Sequence, residues 1–212
     1  MCSVTVIIPA YNEEKTIGDV ISEVKKVELV NEIIVVSDGS IDNTVGVAKK
    51  HKVEIVELTN NIGKGGALSK GVNATYSEIL LFLDADLIGL KKEHVNDLLS
   101  PVVYGEADMT IGIFCNGRFT TDLAQKVSPY LSGQRAMKRY IFENIPNVDI
   151  TRYGVEVALT KYVIKNNIKS KDIILENLTH VMKEEKLGVM RGFASRLKMY
   201  WDIIKIFVSI DR

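Results

Sequence analysis

In the stretch LLFLDADL, residues 80–87, a ladder of apolar side chains ends in two carboxylates one residue apart, Asp84 and Asp86. Like charges at this spacing either face solvent in a turn or share a cation. Mg²⁺ and Mn²⁺ commonly use one or two carboxylates together with phosphate oxygens, so the pair reads as a metal site that holds a nucleotide diphosphate. Further polar stretches follow other apolar runs: PAYNEE at 9–14, SDGSIDNT at 37–44 and NNIGKGGAL at 60–68. Within them Asp38 either starts a turn and caps the next helix with Ser40 or Asp42, or accepts hydrogen bonds from a base or ribose. Lys64, between glycines, is either a solvated lysine or a cation held on a diphosphate beside a helix N-terminus.

Regular elements must bring these stretches together. Apolar, β-branched runs at 4–8, 32–37, 53–58 and 78–83 alternate with helical patterns at roughly 13–27, 42–51 and 64–76. Strands that are apolar on both faces belong in a parallel sheet covered by helices, and ligands of such sheets gather off the carboxyl ends of the strands. All the polar stretches sit at such ends. The fold class is therefore α/β, Rossmann-like, with a mostly parallel central sheet flanked by helices. Beyond residue 100 the pattern predicts a strand at 107–114, a helix near 121–141, a helix at 154–166 and a strand near 171–181. No linker rich in Pro, Gly or Ser divides the chain, so residues 1–190 are expected to form a single domain. Leu197, Tyr200, Trp201, Ile204, Phe207 and Val208 recur at helical spacing, which predicts a C-terminal amphipathic helix over 191–212.

Composition narrows the function further. The 212 residues are 46% hydrophobic and 25% charged, the profile of a soluble globular protein. A formal net charge of zero argues against nucleic-acid binding by bulk electrostatics. Cys2 and Cys115 have no metal-type spacing and read as reduced thiols of a cytoplasmic protein. The N-terminal apolar run lacks a basic region before it and stops at Pro9, so it reads as a first strand and not as a signal peptide. The segment GKGGAL is not a P-loop, because Gly65 occupies the Ser or Thr place. Nor is it a dinucleotide fingerprint, because Leu68 stands where a third glycine belongs.

Taken together and in order, VIIPAYNEE, IIVVSDGSIDNT, NIGKGGAL and LLFLDADL resemble family 2 glycosyltransferases with the GT-A fold. The resemblance implies a nucleotide-diphosphate sugar donor, UDP- or GDP-linked, with residues 1–100 as the donor half and 101–190 as the acceptor half. It implies that Pro9, Ala10, Tyr11, Glu13 and Asp38 line the nucleotide pocket and that Lys64 touches base or phosphate. Asp86 would be the principal metal ligand, with Asp84 near the ribose or sugar and Mg²⁺ or Mn²⁺ as cofactor. Asp86, Glu156 and Lys64 would be the catalytic residues, with the cation and Lys64 stabilising the departing diphosphate.

In the second half, NGRFTTD, LSGQRA, RYGVEVALT and LTHVMKEEKLG are similar to glucosyl-3-phosphoglycerate synthases and their relatives. That likeness implies a small phosphorylated acid, such as 3-phosphoglycerate, as acceptor. Gly117, Arg118 and Thr120 would meet its phosphate, Glu156 would face the donor sugar, and His180 would complete the metal site. From the residues alone, Glu156 is a lone acid among Val155, Val157 and Leu159, a setting that favours a paired or functional group. Arg118 also suits an ordinary surface position, SGQRA a helix start capped by Ser132, and His180 an isolated histidine. A polyprenyl-phosphate sugar transferase, like dolichol-phosphate mannosyltransferases, shares the first half and stays open. Its tail would touch a membrane surface, whereas a homodimer would bury the same stripe. A nucleotidyltransferase would need a Gly-rich basic loop where PAYNEE stands, and a non-catalytic nucleotide-binding module would leave Asp84, Asp86 and Glu156 without a purpose.

Overall fold

The computed structural model describes residues 2–115, 132–145 and 154–180. In the first half, β1 (Val4–Ala10), β2 (Glu32–Asp38), β3 (Glu54–Leu58) and β4 (Ile79–Phe82) alternate with α1 (Ile17–Val24), α2 (Thr44–Lys50) and α3 (Lys64–Asn73). A short β5 (Leu87–Ile88) and α4 (Lys92–Val103) lead to β6 (Met109–Cys115). Then come β7 (Arg135–Lys138), α5 (Arg139–Glu143), α6 (Val155–Lys165), β8 (Ser170–Glu176) and β9 (Thr179–His180). Seven strands form one sheet in the order β3-β2-β1-β4-β7-β6-β8, while β5 and β9 form a separate two-stranded sheet.

Strands β1 to β4 run parallel, as the all-apolar runs predict, and β7 lies antiparallel between β4 and β6. Each sheet face has its own core. Val4, Val6 and Ile8 meet Ile17, Val20, Ile21 and Val24 of α1 and Val95, Leu98 and Leu99 of α4. Ile7, Ile34 and Val36 meet Ala67, Leu68 and Val72 of α3, and Val155, Leu159 and Val163 of α6 complete that layer. The α1 residues follow the i, i+3, i+4, i+7 spacing of a one-faced helix, and burying each such side chain contributes about 1.5–3 kcal/mol. On the other face, α3 sits so close to the sheet that a Cβ on Gly71 would lie 2.5 Å from Ile7 Cγ2.

Some expectations change. Residues 135–138, expected in a helix over 121–141, form β7, while 116–131 lie outside the described residues. A run of only four residues carries no legible period, and the ladder positions on β4 and β6 decide its conformation: Ala136 and Met137 are buried on opposite faces. Ser132 consequently precedes a strand and caps no helix. The strand expected over 171–181 is interrupted at Asn177, which takes φ 58°, a left-handed conformation that asparagine tolerates. Helix α4 is absent from the helices expected above, although Val95, Leu98, Leu99 and Val102 recur at one-faced helical spacing, and Pro101 lies inside it. Proline costs a helix interior roughly 3 kcal/mol, and the burial of Val95, Leu98, Leu99 and Val102 outweighs it. The amphipathic helix over 191–212 lies outside the described residues.

Candidate active site

The loops after β1 and β2 are bound to each other, side chain to backbone. Asn12 N–H donates to Ser40 Oγ at 3.1 Å, and Ile41 N–H returns a bond to Asn12 Oδ1 at 2.9 Å. Glu13 N–H donates to Thr44 Oγ1 at 2.8 Å, Glu14 N–H to Asp42 Oδ2 at 3.1 Å, and Asn43 N–H to Glu14 Oε2 at 2.9 Å. Asp42 therefore both joins the loops and starts α2. Burial alone would raise its pKa, but bonds from the Thr44 hydroxyl and the Thr44 and Glu14 amides outweigh that and hold it below the usual carboxylate value. At the mouth of this loop Ala10 is buried, Pro9 and Glu13 are half-buried, and Tyr11 is 48% exposed, its ring available for stacking.

Asp38 is buried and reaches across to the segment that leads into α3. Its Oδ1 accepts Ile62 N–H at 2.7 Å, its Oδ2 accepts Gly63 N–H at 2.9 Å, and its carbonyl accepts Asn61 Nδ2 at 3.2 Å. The sequence alternatives for Asp38 were a local cap or a nucleotide contact. In the fold it anchors a loop about two dozen residues away, and Asp42 accepts the Thr44 N–H at the start of α2. Gly39 permits this closeness: it holds φ +71°, and a Cβ there would stand 2.8 Å from the Asn60 carbonyl carbon and the Asn61 nitrogen. The result places Lys64 on the first turn of α3.

Lys64 Nζ lies 2.6 Å from Asp84 Oδ1 and 2.6 Å from Glu156 Oε1. Burial alone lowers a lysine pKa, but the Asp84 and Glu156 carboxylates outweigh it and hold this ammonium well above the usual range. The lysine thus joins the end of β4 to the first turn of α6, across the two halves of the chain. Gln134 Nε2 donates to Asp84 Oδ2 at 2.9 Å. Gly133 presses its backbone against the ion pair, since a Cβ there would overlap Lys64 Nζ and lie 2.8 Å from Asp84 Oδ2. Gln134 and Gly133 were missed as site residues; the polar Gly-Gln-Arg run opening an apolar strand was the available signal.

Asp86 is half-buried, two residues beyond Asp84 with Ala85 buried between them. Gly117, Arg118 and Thr120 lie outside the described residues, and so does the side chain of His180, which ends β9. Among the described residues no three His, Cys, Asp or Glu side chains cluster as a complete metal cage. Asp84 and Asp86 nonetheless fit a divalent cation in kind, because carboxylate oxygens are the hard donors that Mg²⁺ and Mn²⁺ take alongside phosphate and water.

The model of the family described as glycosyl transferase family 2 matches residues 5–161. An uncharacterized protein of Methanocaldococcus jannaschii is 38% identical over 92% of this chain and 89% of its own length. Dolichyl-phosphate beta-glucosyltransferase of Drosophila melanogaster is 45% identical, over 39% of this chain and 30% of that enzyme. Among solved structures, glucosyl-3-phosphoglycerate synthase of Mycobacterium tuberculosis, in complex with Mn²⁺, uridine diphosphate and phosphoglyceric acid, aligns with a TM-score of 0.74 at 27% identity. It covers 93% of this chain and 78% of that one.

Proposed function

The chain belongs to glycosyltransferase family 2, and from that membership we propose that it moves a sugar from a UDP- or GDP-sugar to a phosphate-bearing acceptor, using Mg²⁺ or Mn²⁺ held by Asp84 and Asp86. The observation that carries this reading is the meeting of Lys64, Asp84 and Glu156, which joins the donor half to the acceptor half at the carboxyl ends of the strands. Pro9, Ala10, Tyr11 and Glu13 would line the nucleotide side of the site, with Asp38 holding its floor through the 61–63 loop.

Departure of a nucleotide diphosphate builds negative charge on the leaving oxygens, and stabilising that charge in place is the main catalytic demand. The bound divalent cation supplies part of that positive charge. Lys64 supplies more from the protein, at the first turn of α3, where unsatisfied backbone N–H groups also favour an anion. Glu156 holds Lys64 from the acceptor side, and its position on α6 suits contact with the donor sugar. Arg118 and Thr120, offering a planar fork and a hydroxyl, would hold the acceptor phosphate, and His180 would add to the metal ligands.

Two acceptor classes remain in play. The likeness to a synthase solved with phosphoglyceric acid extends over nearly the whole chain and supports a small phosphorylated acid. The likeness to a dolichyl-phosphate enzyme covers 39% of this chain and supports a lipid phosphate. A thermal-shift panel of UDP- and GDP-sugars with Mg²⁺ or Mn²⁺ tests the donor, because a ligand at 100 times its Kd adds ~2.7 kcal/mol to apparent stability. Product analysis with 3-phosphoglycerate and with polyprenyl phosphate then tests the acceptor. Stabilisation by a nucleotide sugar only with metal, and transfer to 3-phosphoglycerate, are expected; sugar transfer to polyprenyl phosphate alone would replace the small-acid reading.

A further inference from the structure

Arg135 opens β7 and is 1% exposed, although its side chain carries a full charge. A buried guanidinium is costly unless its donors are used. This one is used in two directions. Its Nε donates to the Ser132 carbonyl at 2.8 Å, and its Nη2 donates to Thr160 Oγ1 at 3.0 Å. Burial draws its pKa down to about 10, with the negative charges of Glu156 and Asp172 opposing that shift.

The first arm leads to the Asp84 carboxylate that holds Lys64, and the second to the backbone of Glu156, whose carboxylate holds Lys64 from the other side. On the first, Ser132 Oγ donates to Gln134 Oε1 at 3.3 Å, and Gln134 Nε2 donates to Asp84 Oδ2 at 2.9 Å. On the second, Thr160 Oγ1 donates to the Glu156 carbonyl at 2.8 Å. Lys64 then closes the ring, 2.6 Å from both Asp84 and Glu156. Four separate parts of the chain meet in this ring: the β4 end, the start of α3, the approach to β7, and α6. Arg135 is the member that grips two of them at once.

We propose that Arg135 is a positioning residue for glycosyl transfer, setting the spacing between Asp84 and Glu156 by holding the 132–134 segment with Nε and α6 with Nη2. The inference rests on the glycosyltransferase reading of this site. A lysine at 135 would keep the charge but lose the rigid fork that points in both directions. An arginine that served the core alone would change stability and leave the Lys64 ion pairs and turnover untouched.

The test combines kinetics with a probe of Lys64 that needs no substrate. In transfer from UDP-glucose to 3-phosphoglycerate with Mn²⁺, Arg135→Lys is expected to lower kcat about tenfold to hundredfold, the worth of one charge-assisted hydrogen bond. The Kd for UDP with Mn²⁺ is expected to stay within about twofold, since no donor contact is removed. In a Glu156→Gln background, adding Arg135→Lys is expected to do little more, because residues acting through one another are not additive; fully additive losses would overturn the proposal. Independently, the ¹⁵N signal of the Lys64 ammonium in ligand-free protein, assigned with Lys64→Arg, is expected to broaden or shift in Arg135→Lys and in Thr160→Val. An unchanged Lys64 signal in both folded variants would refute the proposal even if the substrates tested prove to be the wrong ones. Should Arg135→Lys fail to fold, Thr160→Val alone decides, because it breaks a single arm at nearly constant volume.

Discussion

Asp86 is half-buried two residues beyond Asp84, and as the proposed principal metal ligand it is the acid whose loss tests the metal reading. Asp86→Ala is expected to lower kcat by about 10²–10³ while the melting temperature stays near wild type, as loss of a charge-stabilising element does. Near-normal turnover in excess EDTA would end the metal reading. A methyl group at Gly133 collides with the Lys64 ammonium and the Asp84 carboxylate, so Gly133→Ala should part the ion pair and cost turnover about tenfold to hundredfold. Steady-state kinetics and a thermal melt on the same sample separate that loss from unfolding. The Asp84–Asp86 pair was legible in the sequence because two acids after an apolar strand are conspicuous. Gly133 was not, because its importance is the closeness of its backbone to atoms 69 and 49 residues earlier in the chain.

At the scale of elements, the joined loops after β1 and β2 depend on an ionised Asp42. Its folded pKa lies below the ordinary 3.8, so its contribution is present above pH 3.8 and is lost as pH falls through the depressed value. The protection of the Glu14 and Thr44 amides against hydrogen exchange, relative to their intrinsic rates, should therefore fall on acidification below pH 3.8. In Asp42→Asn that pH dependence should vanish. Helix α3 offers a packing test. Gly71→Ala gains about 1 kcal/mol of helix propensity but drives a methyl into Ile7 and Val36, an overpacking that costs about 1–3 kcal/mol. A net loss of up to about 2 kcal/mol in urea unfolding is expected, and a gain in stability would show that α3 can lift from the sheet. Helix starts and strand ends in the first half were legible because the apolar runs there are long. Strand β7 was not, since four residues in the middle of a sheet owe their conformation to neighbours on both sides.

Across the whole molecule, the sheet passes without a break from the first half of the chain to the second through β4, β7 and β6. A ligand bound over the strand ends therefore bears on both halves together. UDP and Mn²⁺ added jointly should raise the melting temperature by more than the sum of their separate effects, because each completes the site of the other. Strictly additive shifts would mean that metal and nucleotide bind apart. Among the described residues no helix is long and apolar enough to cross a membrane.

The sequence by itself determined the α/β class, the four polar strand ends and their order, because residue type and period are local properties. It also singled out Lys64, Asp84 and Glu156 as candidate site residues. Only the tertiary structure decided that these three touch, since Lys64 and Glu156 stand 92 residues apart and meet only once β7 has inserted antiparallel beside β4. The same holds for Asp38, whose carboxylate serves a loop that the chain reaches after a further strand. Arg135 is the extreme case: an arginine in a short run reads as surface, and its burial, its two-way fork and its link to both acids exist only when four separate segments close around it.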